Sequence, residues 1–206
     1  MKSQFDFQNY IEAGTQAYVE GDYANGGKIF LSAMKDAKRA KLKDSRLLVI
    51  LYNLALFYHQ QRRPKKAEVL LEKALEHAES LFGKNANPVN HILNRLADLQ
   101  VKERHYKKAE GFYHRSLQIE RRIFAPDNPL LAKKLMKVAW VQALLGNYDD
   151  SELYLKQALE LQINAARGKR AYAVSNAPAN LPLDADLLFD DFTSDDEIEI
   201  SSTQDA

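Results

Sequence analysis

The sequence predicts an all-α solenoid of about four stacked helical hairpins, followed by an acidic C-terminal tail. One observation is a repeat of 42 residues, which is typical of stacked repeat arrays. A second is the helical spacing of the apolar residues inside each repeat, and a third is the concentration of acids near the C-terminus. The repeated positions are Leu54, Ala55, Ala67, Leu71, Ala74 and Leu75, then Leu96, Ala97, Ala109, Tyr113, Ser116 and Leu117, then Val138, Ala139, Ser151, Leu155, Ala158 and Leu159.

Each repeat is predicted to contain two helices. The first helix of the second unit has an apolar stripe at helical spacing, formed by Leu51, Leu54, Ala55 and Tyr58. A break at residues 61–64 separates it from a second apolar helix, which Pro64 is able to start. Small alanines at the crossing points let the two backbones approach, so that large neighbours such as Leu71 fit between the helices.

The two ends of the array are expected to be its weakest parts. The first unit carries Gly14, Gly26, Phe30 and Ala33 about one residue out of phase. Glycine inside a helix costs up to about 1 kcal/mol against alanine, so this unit is expected to fray or to pair with another chain. The last helix, near 154–163, keeps apolar residues with no following unit to cover them. A homodimer partner or the tail is expected to provide that cover.

The motifs of the second unit resemble a known repeat family. They are residues 52–58 (YNLALFY), Lys66-Ala67-Glu68, Leu81-Phe82-Gly83 and Asn87-Pro88. The pattern resembles the tetratricopeptide repeat, and the 42-residue period is similar to the kinesin light chain class of it. The resemblance implies a right-handed superhelix that binds proteins. Gln100 and Gln142 stand where that class usually has an aromatic residue, so packing there is expected to be filled differently.

The chain is predicted to divide into a repeat domain, a linker and a tail. The repeat domain covers residues 1–165, and its units span about 7–47, 48–89, 90–131 and 132–165. Residues 166–183 form the linker, and residues 184–206 form a disordered acidic tail. Residues 1–170 hold all 29 lysines and arginines but only 19 of the 28 acids, a net charge of +10, whereas residues 171–206 have a net charge of −9. A basic body joined to an acidic tail favours self-attraction or the recruitment of two partners.

The composition argues against an enzyme or a metalloprotein. The chain has no cysteine, and its five histidines fit no metal-ligand spacing. Adjacent acids such as Asp190 and Asp191 lie in a segment without the fixed geometry that acid-base catalysis needs. We therefore expect no catalytic residue, no metal and no cofactor. With neither a signal peptide nor a membrane span recognisable, a cytoplasmic protein with no membrane partner is expected.

The open face of the first helices is the predicted binding surface. Its expected residues are Val49, Tyr52, Asn53, Leu56, His59 and Gln60, then His91, Asn94, Arg95, Asp98, Val101 and Lys102, then Lys133, Met136, Lys137, Trp140, Ala143 and Leu144. The 42-residue spacing places Asn53, Arg95 and Lys137 in a row across three helices. The peptide-binding prediction comprises Tyr52, Asn53, Asn94, Arg95, Lys102, Lys133, Lys137 and Trp140.

These residue types suit an acidic and apolar peptide. Asparagine offers a donor and an acceptor to a peptide group, and arginine can hold a carboxylate with two parallel bonds. Tyr52, Leu56, Met136 and Trp140 would supply apolar pockets. The resemblance to kinesin light chains, whose grooves bind peptides with a large apolar residue beside acids, implies the same kind of ligand. We therefore expect a non-catalytic adaptor.

The tail contains a candidate docking motif. Its residues are Leu187, Leu188, Phe189, Asp190, Asp191 and Phe192. One hypothesis is that this motif binds the groove of its own chain or of a neighbouring copy and so regulates it. The alternatives are recruitment of a separate partner by the tail and a tail with no specific role.

Nucleic acid is the other class of partner that the charge brings up. Basic clusters at 35–43 and 167–170 could contact phosphates. The cations are scattered over second helices and loops without interleaved aromatics, and the acidic tail would compete with phosphates. Nucleic-acid binding therefore ranks below protein binding.

Overall fold

The computed structural model describes residues 7–166. Within this range the chain forms eight α-helices and no strand, so the predicted all-α solenoid is confirmed. The predicted linker beyond Ala166 and the whole tail, including its docking motif, lie outside the described residues. The helices are α1 Phe7–Val19, α2 Tyr23–Arg39, α3 Ser45–Gln60, α4 Pro64–Phe82, α5 Asn87–Lys102, α6 Tyr106–Ile123, α7 Leu130–Leu144 and α8 Tyr148–Ala166.

Consecutive helices pair into four hairpins, α1–α2, α3–α4, α5–α6 and α7–α8, and each hairpin packs on the next. The alanines predicted at the helix crossings, such as Ala67, Ala74 and Ala109, are completely buried. Three apolar clusters follow one another along the array, and each combines residues from neighbouring hairpins. The core is therefore continuous, although each hairpin touches mainly its neighbours.

The turn inside each hairpin has the same geometry. Gly21, Arg62, Arg104 and Gly146 all have positive φ, between 56° and 82°. Beside each of them a backbone N–H reaches the carbonyl five residues back; one such bond joins His105 N to Gln100 O at 2.8 Å. This closure satisfies carbonyls that the end of the first helix would otherwise leave exposed. The turns therefore fix the angle between the two helices of every unit.

The glycines of the first unit turn out to be close-packing positions. Both helices of this unit, α1 and α2, are formed, and Gly14 and Gly26 are buried within them. A Cβ atom at Gly14 would collide with the ring of Phe30, and one at Gly26 with the ring of Phe57. The two rings pack together with centroids 5.6 Å apart. Each of these glycines thus leaves room for a phenylalanine ring of a neighbouring helix.

No helix within residues 7–166 combines the length and apolarity needed to cross a bilayer.

We predict that Gly14→Ala and Gly26→Ala destabilise the protein, by about 1 to 3 kcal/mol each, because the added methyl group overpacks the phenylalanine rings. Helix propensity alone predicts the opposite sign, a gain of up to about 1 kcal/mol. Gly111 supplies the control, since it is exposed within α6 and a Cβ there meets nothing within 4 Å. Gly111→Ala should therefore stabilise. Urea unfolding of the three variants measures both signs, and stabilisation by Gly26→Ala would contradict the packing account.

Candidate functional site

The first helices of neighbouring hairpins touch through polar side chains on one face, which we call the first-helix face. Arg95 Nε on α5 donates a hydrogen bond to Tyr52 Oη on α3 at 2.8 Å. Lys137 Nζ on α7 donates to Asp98 Oδ1 on α5, also at 2.8 Å. Lys102 Nζ lies 3.5 Å from Nε2 of His59 on α3. Helices α3, α5 and α7 are therefore lined up side by side, which brings Arg95, Lys102 and Lys137 to one surface.

Two residues expected on the open face are buried instead. Tyr52 is only 2% exposed and Asn53 only 4% exposed. The Asn53 amide donates to the Val49 carbonyl at 2.9 Å within its own helix. The reason is that α3 packs against α2 and α4 and shares an apolar cluster with α5, so residues 50–57, about two full turns, are all buried. Tyr52 contacts the face only through its hydroxyl group, which accepts the Arg95 hydrogen bond, and burial raises the pKa of that hydroxyl.

Two further apolar residues of the expected open face are also buried. They are Leu56 on α3 and Val101 on α5. Both belong to the sides of their helices that neighbouring hairpins cover. The apolar part of the face is therefore concentrated on α7, where Met136 and Trp140 remain exposed.

Asn94 is half-buried and already engaged. Its Oδ1 atom accepts hydrogen bonds from Ser116 Oγ at 2.6 Å and from Lys134 Nζ. The single proton of Ser116 is shared with Asn90 Oδ1, which lies 2.5 Å from Ser116 Oγ, and the Asn90 amide donates to Glu120 at 3.1 Å. Asn94 is thus the outer end of a buried polar network, and its carbonyl oxygen is occupied by the protein itself.

The accessible cations of the face are Lys102 and Lys133, which are exposed, and Lys137 and Arg95, which are partly exposed. Lys137 pairs with Asp98, and its ammonium group also lies 5.6 Å from the centre of the Tyr113 ring. Asp98 is therefore an internal counter-ion within the otherwise basic face. Exposed pairs of this kind contribute only about 0 to 1 kcal/mol, so a carboxylate from a ligand can compete for Lys137.

A buried ion pair lies beneath this face, and the sequence reasoning missed it. Lys134 Nζ on α7 is 3.4 Å from Glu120 Oε1 on α6, and the two side chains are 7% and 10% exposed. Burial lowers the pKa of Lys134. The repeat itself indicates this pair. Lys134 occupies the position that Ile92 has one unit earlier, and Glu120 occupies the position of Ala78. One interface of the array thus uses charge where the preceding one uses apolar residues.

The two glutamines that replace the usual aromatic residue form a repeated hydrogen-bonded link. Gln100 Nε2 donates to Glu68 of the preceding hairpin at 2.8 Å, and Gln142 Nε2 donates to Glu110 at 3.0 Å. The carbonyl side of Gln142 accepts from Asn147 at 2.8 Å. Both glutamines are buried. The link joins the first helix of one hairpin to the second helix of the hairpin before it.

This architecture defines a class of protein, the helical-repeat interaction modules. The sequence model described as tetratricopeptide repeat matches residues 46–119 and 88–164, and the chain belongs to that family. The resemblance to the tetratricopeptide repeat is thereby confirmed. Tetratricopeptide repeats are generally interaction modules without catalytic activity. No curated protein sequence matches the chain.

Three solved structures illustrate the similarity of fold. BtubC (BKLC) from P. vanneervenii has a TM-score of 0.74 and 19% identity over 88% of this chain and 73% of its own. A Podosopora anserina protein described as a kinesin light chain with nearly identical TPR-like repeats has a TM-score of 0.70 and 14% identity over 83% and 80%. MamA of MSR-1 has a TM-score of 0.57 and 20% identity over 78% and 79%. At these identities the likeness concerns the fold alone.

We predict that Lys134→Met destabilises the protein by about 3 to 5 kcal/mol, because it leaves the Glu120 carboxylate buried without its cation. The double variant Lys134→Ile with Glu120→Ala reproduces the apolar pairing of the preceding interface. It should recover part of the loss, because well-packed apolar residues replace buried ion pairs at little cost, while the Asn90 amide loses its acceptor on Glu120. Urea unfolding of the two variants provides the comparison. A double variant as unstable as the single one would show that the pair is not interchangeable with an apolar contact.

Proposed function

We propose that this protein is a non-catalytic cytoplasmic adaptor whose first-helix face binds an acidic and apolar peptide. The observation that carries the proposal is the row of accessible cations on adjacent helices: Arg95 and Lys102 on α5, and Lys133 and Lys137 on α7. Cations held at fixed spacing favour a ligand with several carboxylates over one with a single charge.

The apolar half of the ligand is assigned to α7. Met136 and Trp140 lie one turn apart on that helix and are 44% and 42% exposed. Lys133 and Lys137 lie on the same side of the helix, so a large apolar residue flanked by acids would meet a matching surface. Buried aromatic and apolar anchors carry most of the energy in such interfaces, while the charged rim contributes steering and specificity.

The burial of Tyr52 and Asn53 alters the proposed binding mode. Asn53 has no accessible amide to hold a peptide backbone, so the ligand is centred on α5 and α7 instead of spanning all three first helices. Tyr52 acts on the site indirectly, because its hydroxyl group accepts from Arg95 and thereby holds the guanidinium group in place. Asn94 offers only its amide nitrogen, since its oxygen is engaged.

We propose further that the acidic tail is one ligand of this face. The segment 184–200 alternates acids with leucine, phenylalanine and isoleucine, and it contains no lysine or arginine. A linker of about 20 residues spans roughly 25 Å as a flexible chain, so reach is no obstacle. Tethering raises the local concentration of the tail to about the millimolar range, at which even a weak motif competes with outside ligands.

We predict that a chain ending at Ala166 binds a peptide of residues 184–200 at low salt and loses it in 1 M salt, where the screening length falls to about 3 Å. Lys133→Glu combined with Lys137→Glu should weaken binding at least tenfold, because both cations become repulsive. Lys73→Glu is the matched control, since Lys73 is an exposed lysine on the second helix α4. Fluorescence of Trp140, the one tryptophan of the chain, reports binding.

Unchanged affinity in the double variant would reject the face as the site. Binding of mixed DNA or RNA in place of the peptide, again lost at high salt, would instead favour the nucleic-acid alternative.

We predict that the full-length chain binds the same labelled peptide several times more weakly than the chain ending at Ala166, because its own tail occupies the site. Replacing Leu188, Phe189 and Phe192 by alanine in the full-length chain should restore the affinity, as it removes the apolar residues but keeps the acids. Fluorescence anisotropy gives both affinities. Equal affinity for the full-length and shortened chains would leave the tail free to recruit a separate partner.

A further inference from the structure

The last described hairpin exposes a surface that the preceding hairpin buries. Leu155 and Leu159 on α8 are 50% and 56% exposed, whereas the residues 42 positions earlier, Tyr113 and Leu117, are 1% and 2% exposed. Tyr113 packs in the cluster that includes the first helix of the next hairpin, α7. The exposed leucines therefore occupy positions that are built to receive another helix.

A polar group on α8 repeats the same pattern. Glu152 occupies the position of Glu68 and Glu110, which each accept a hydrogen bond from a glutamine of the next first helix. Glu152 instead makes an exposed ion pair with Lys156 one turn along its own helix, at 2.6 Å. The corresponding acceptor is thus present on α8, and within the described residues no following helix supplies the glutamine.

Helix α7 completes the surface. Met136 and Trp140 occupy the positions of Asn94 and Asp98, whose side chains contact lysines of the next first helix. Met136 borders α8, because Gln162 Nε2 approaches its sulfur at 3.7 Å. We call the surface formed by Met136, Trp140, Glu152, Leu155 and Leu159 the terminal slot.

Helices α5 and α7 cover the equivalent surfaces of the hairpins before them, so their sequences indicate which kind of helix fits the terminal slot. In α5 the pattern is Leu96, Leu99 and Gln100, and in α7 it is Val138, Val141 and Gln142, so each presents apolar residues at i and i+3 and an amide at i+4. These apolar residues are buried against the preceding hairpin. The first helices also bring cations to acids of the preceding hairpin, as Lys134 does to Glu120. We therefore expect hydrogen-bond donors on the bound helix to strengthen binding to the slot and acidic side chains to weaken it.

Two other occupants fit this chemistry poorly. The tail segment 184–200 contains no lysine, arginine, asparagine or glutamine, so it would bring carboxylates against Glu152. Head-to-tail stacking of a second copy would present α1, which has Asn9, Ala13 and Gln16 exposed where α3 has buried Ile50, Leu54 and Phe57. Like charges oppose binding of the tail. Binding of α1 would place the polar side chains of Asn9 and Gln16 against leucines, which is also unfavourable.

We propose that the terminal slot binds an amphipathic helix of a partner protein, with apolar residues at i and i+3 and an amide or cationic donor at i+4 opposite Glu152. This site is distinct from the first-helix face in its chemistry. The face offers cations to an acidic ligand, whereas the slot offers leucines and a carboxylate to a neutral or basic one. The chain thereby carries two overlapping sites, which share Met136 and Trp140 but select different ligands.

The probe for this site is a peptide with the sequence of α5, residues 87–102, which contains no tryptophan. In the full-length chain we expect it to shift the emission of Trp140 to shorter wavelength as the slot is covered. Leu159→Asp should weaken binding at least tenfold. Leu153→Asp is the matched control, because Leu153 is 53% exposed on the same helix but points about 120° away from Leu159. Both leucines are exposed, so circular dichroism should show both variants folded.

A charge exchange tests the contact to Glu152 separately. The peptide carrying Gln100→Glu should bind the parent chain at least tenfold more weakly, because it sets two carboxylates together. Glu152→Lys in the protein should restore the binding of that peptide. Restored binding in the exchanged pair supports a direct contact, and failure to restore it contradicts the assignment of Glu152.

Three results would overturn the proposal. Equal binding by the Leu159→Asp and parent chains would place the peptide elsewhere. Binding of a 184–200 peptide that Leu159→Asp abolishes and the Lys133 and Lys137 variants leave unchanged would make the tail the occupant. Dimerisation in sedimentation that Leu159→Asp abolishes would make it a second copy. Because the first-helix face is tested with the lysine variants, failure of the slot leaves that proposal untouched.

Discussion

The structure depends on one contact, the burial of each second helix under the first helix of the next hairpin. Leu71 and Tyr113 are buried because α5 and α7 lie over them. The same two interfaces are fixed in register by a glutamine that donates to a glutamate of the preceding hairpin. A hairpin alone cannot bury its outer face, so the units stabilise one another in sequence. Within residues 7–166 the outer face of the last hairpin is therefore left exposed.

The interfaces are nevertheless not identical, and their differences give each hairpin its place. Between the first two hairpins, glycines admit phenylalanine rings, as Gly26 does for Phe57. Between the last two, Lys134 and Glu120 form a buried ion pair. A buried pair contributes little net stability but is costly to mismatch, because either charge alone would be left in an apolar environment. The pair therefore opposes any slip of α7 along the array.

The sequence predicted the architecture well because the 42-residue period and the helical spacing of apolar residues both correspond to one helical hairpin. It predicted the open face less well. The apolar stripe of a single helix separates buried from exposed residues correctly only when one side of that helix is covered. Helix α3 is covered on several sides, and Tyr52 and Asn53 are therefore buried. A lysine where the preceding repeat has Ile92, facing a glutamate where it has Ala78, indicates an ion pair between neighbouring hairpins.

The same comparison explains how one small array can discriminate between ligands. Cations on the first-helix face come from residues such as Lys133 and Lys137, which project from the first helices, whereas the acceptor in the slot, Glu152, belongs to a second helix. Lys133 and Lys137 on one surface and Glu152 on the adjoining one thus present opposite charges to a ligand. An acidic segment such as the tail is attracted to one surface and repelled by the other. A basic or neutral helix has the reverse preference, and because both sites include Met136 and Trp140, the two ligands compete for the end of the array.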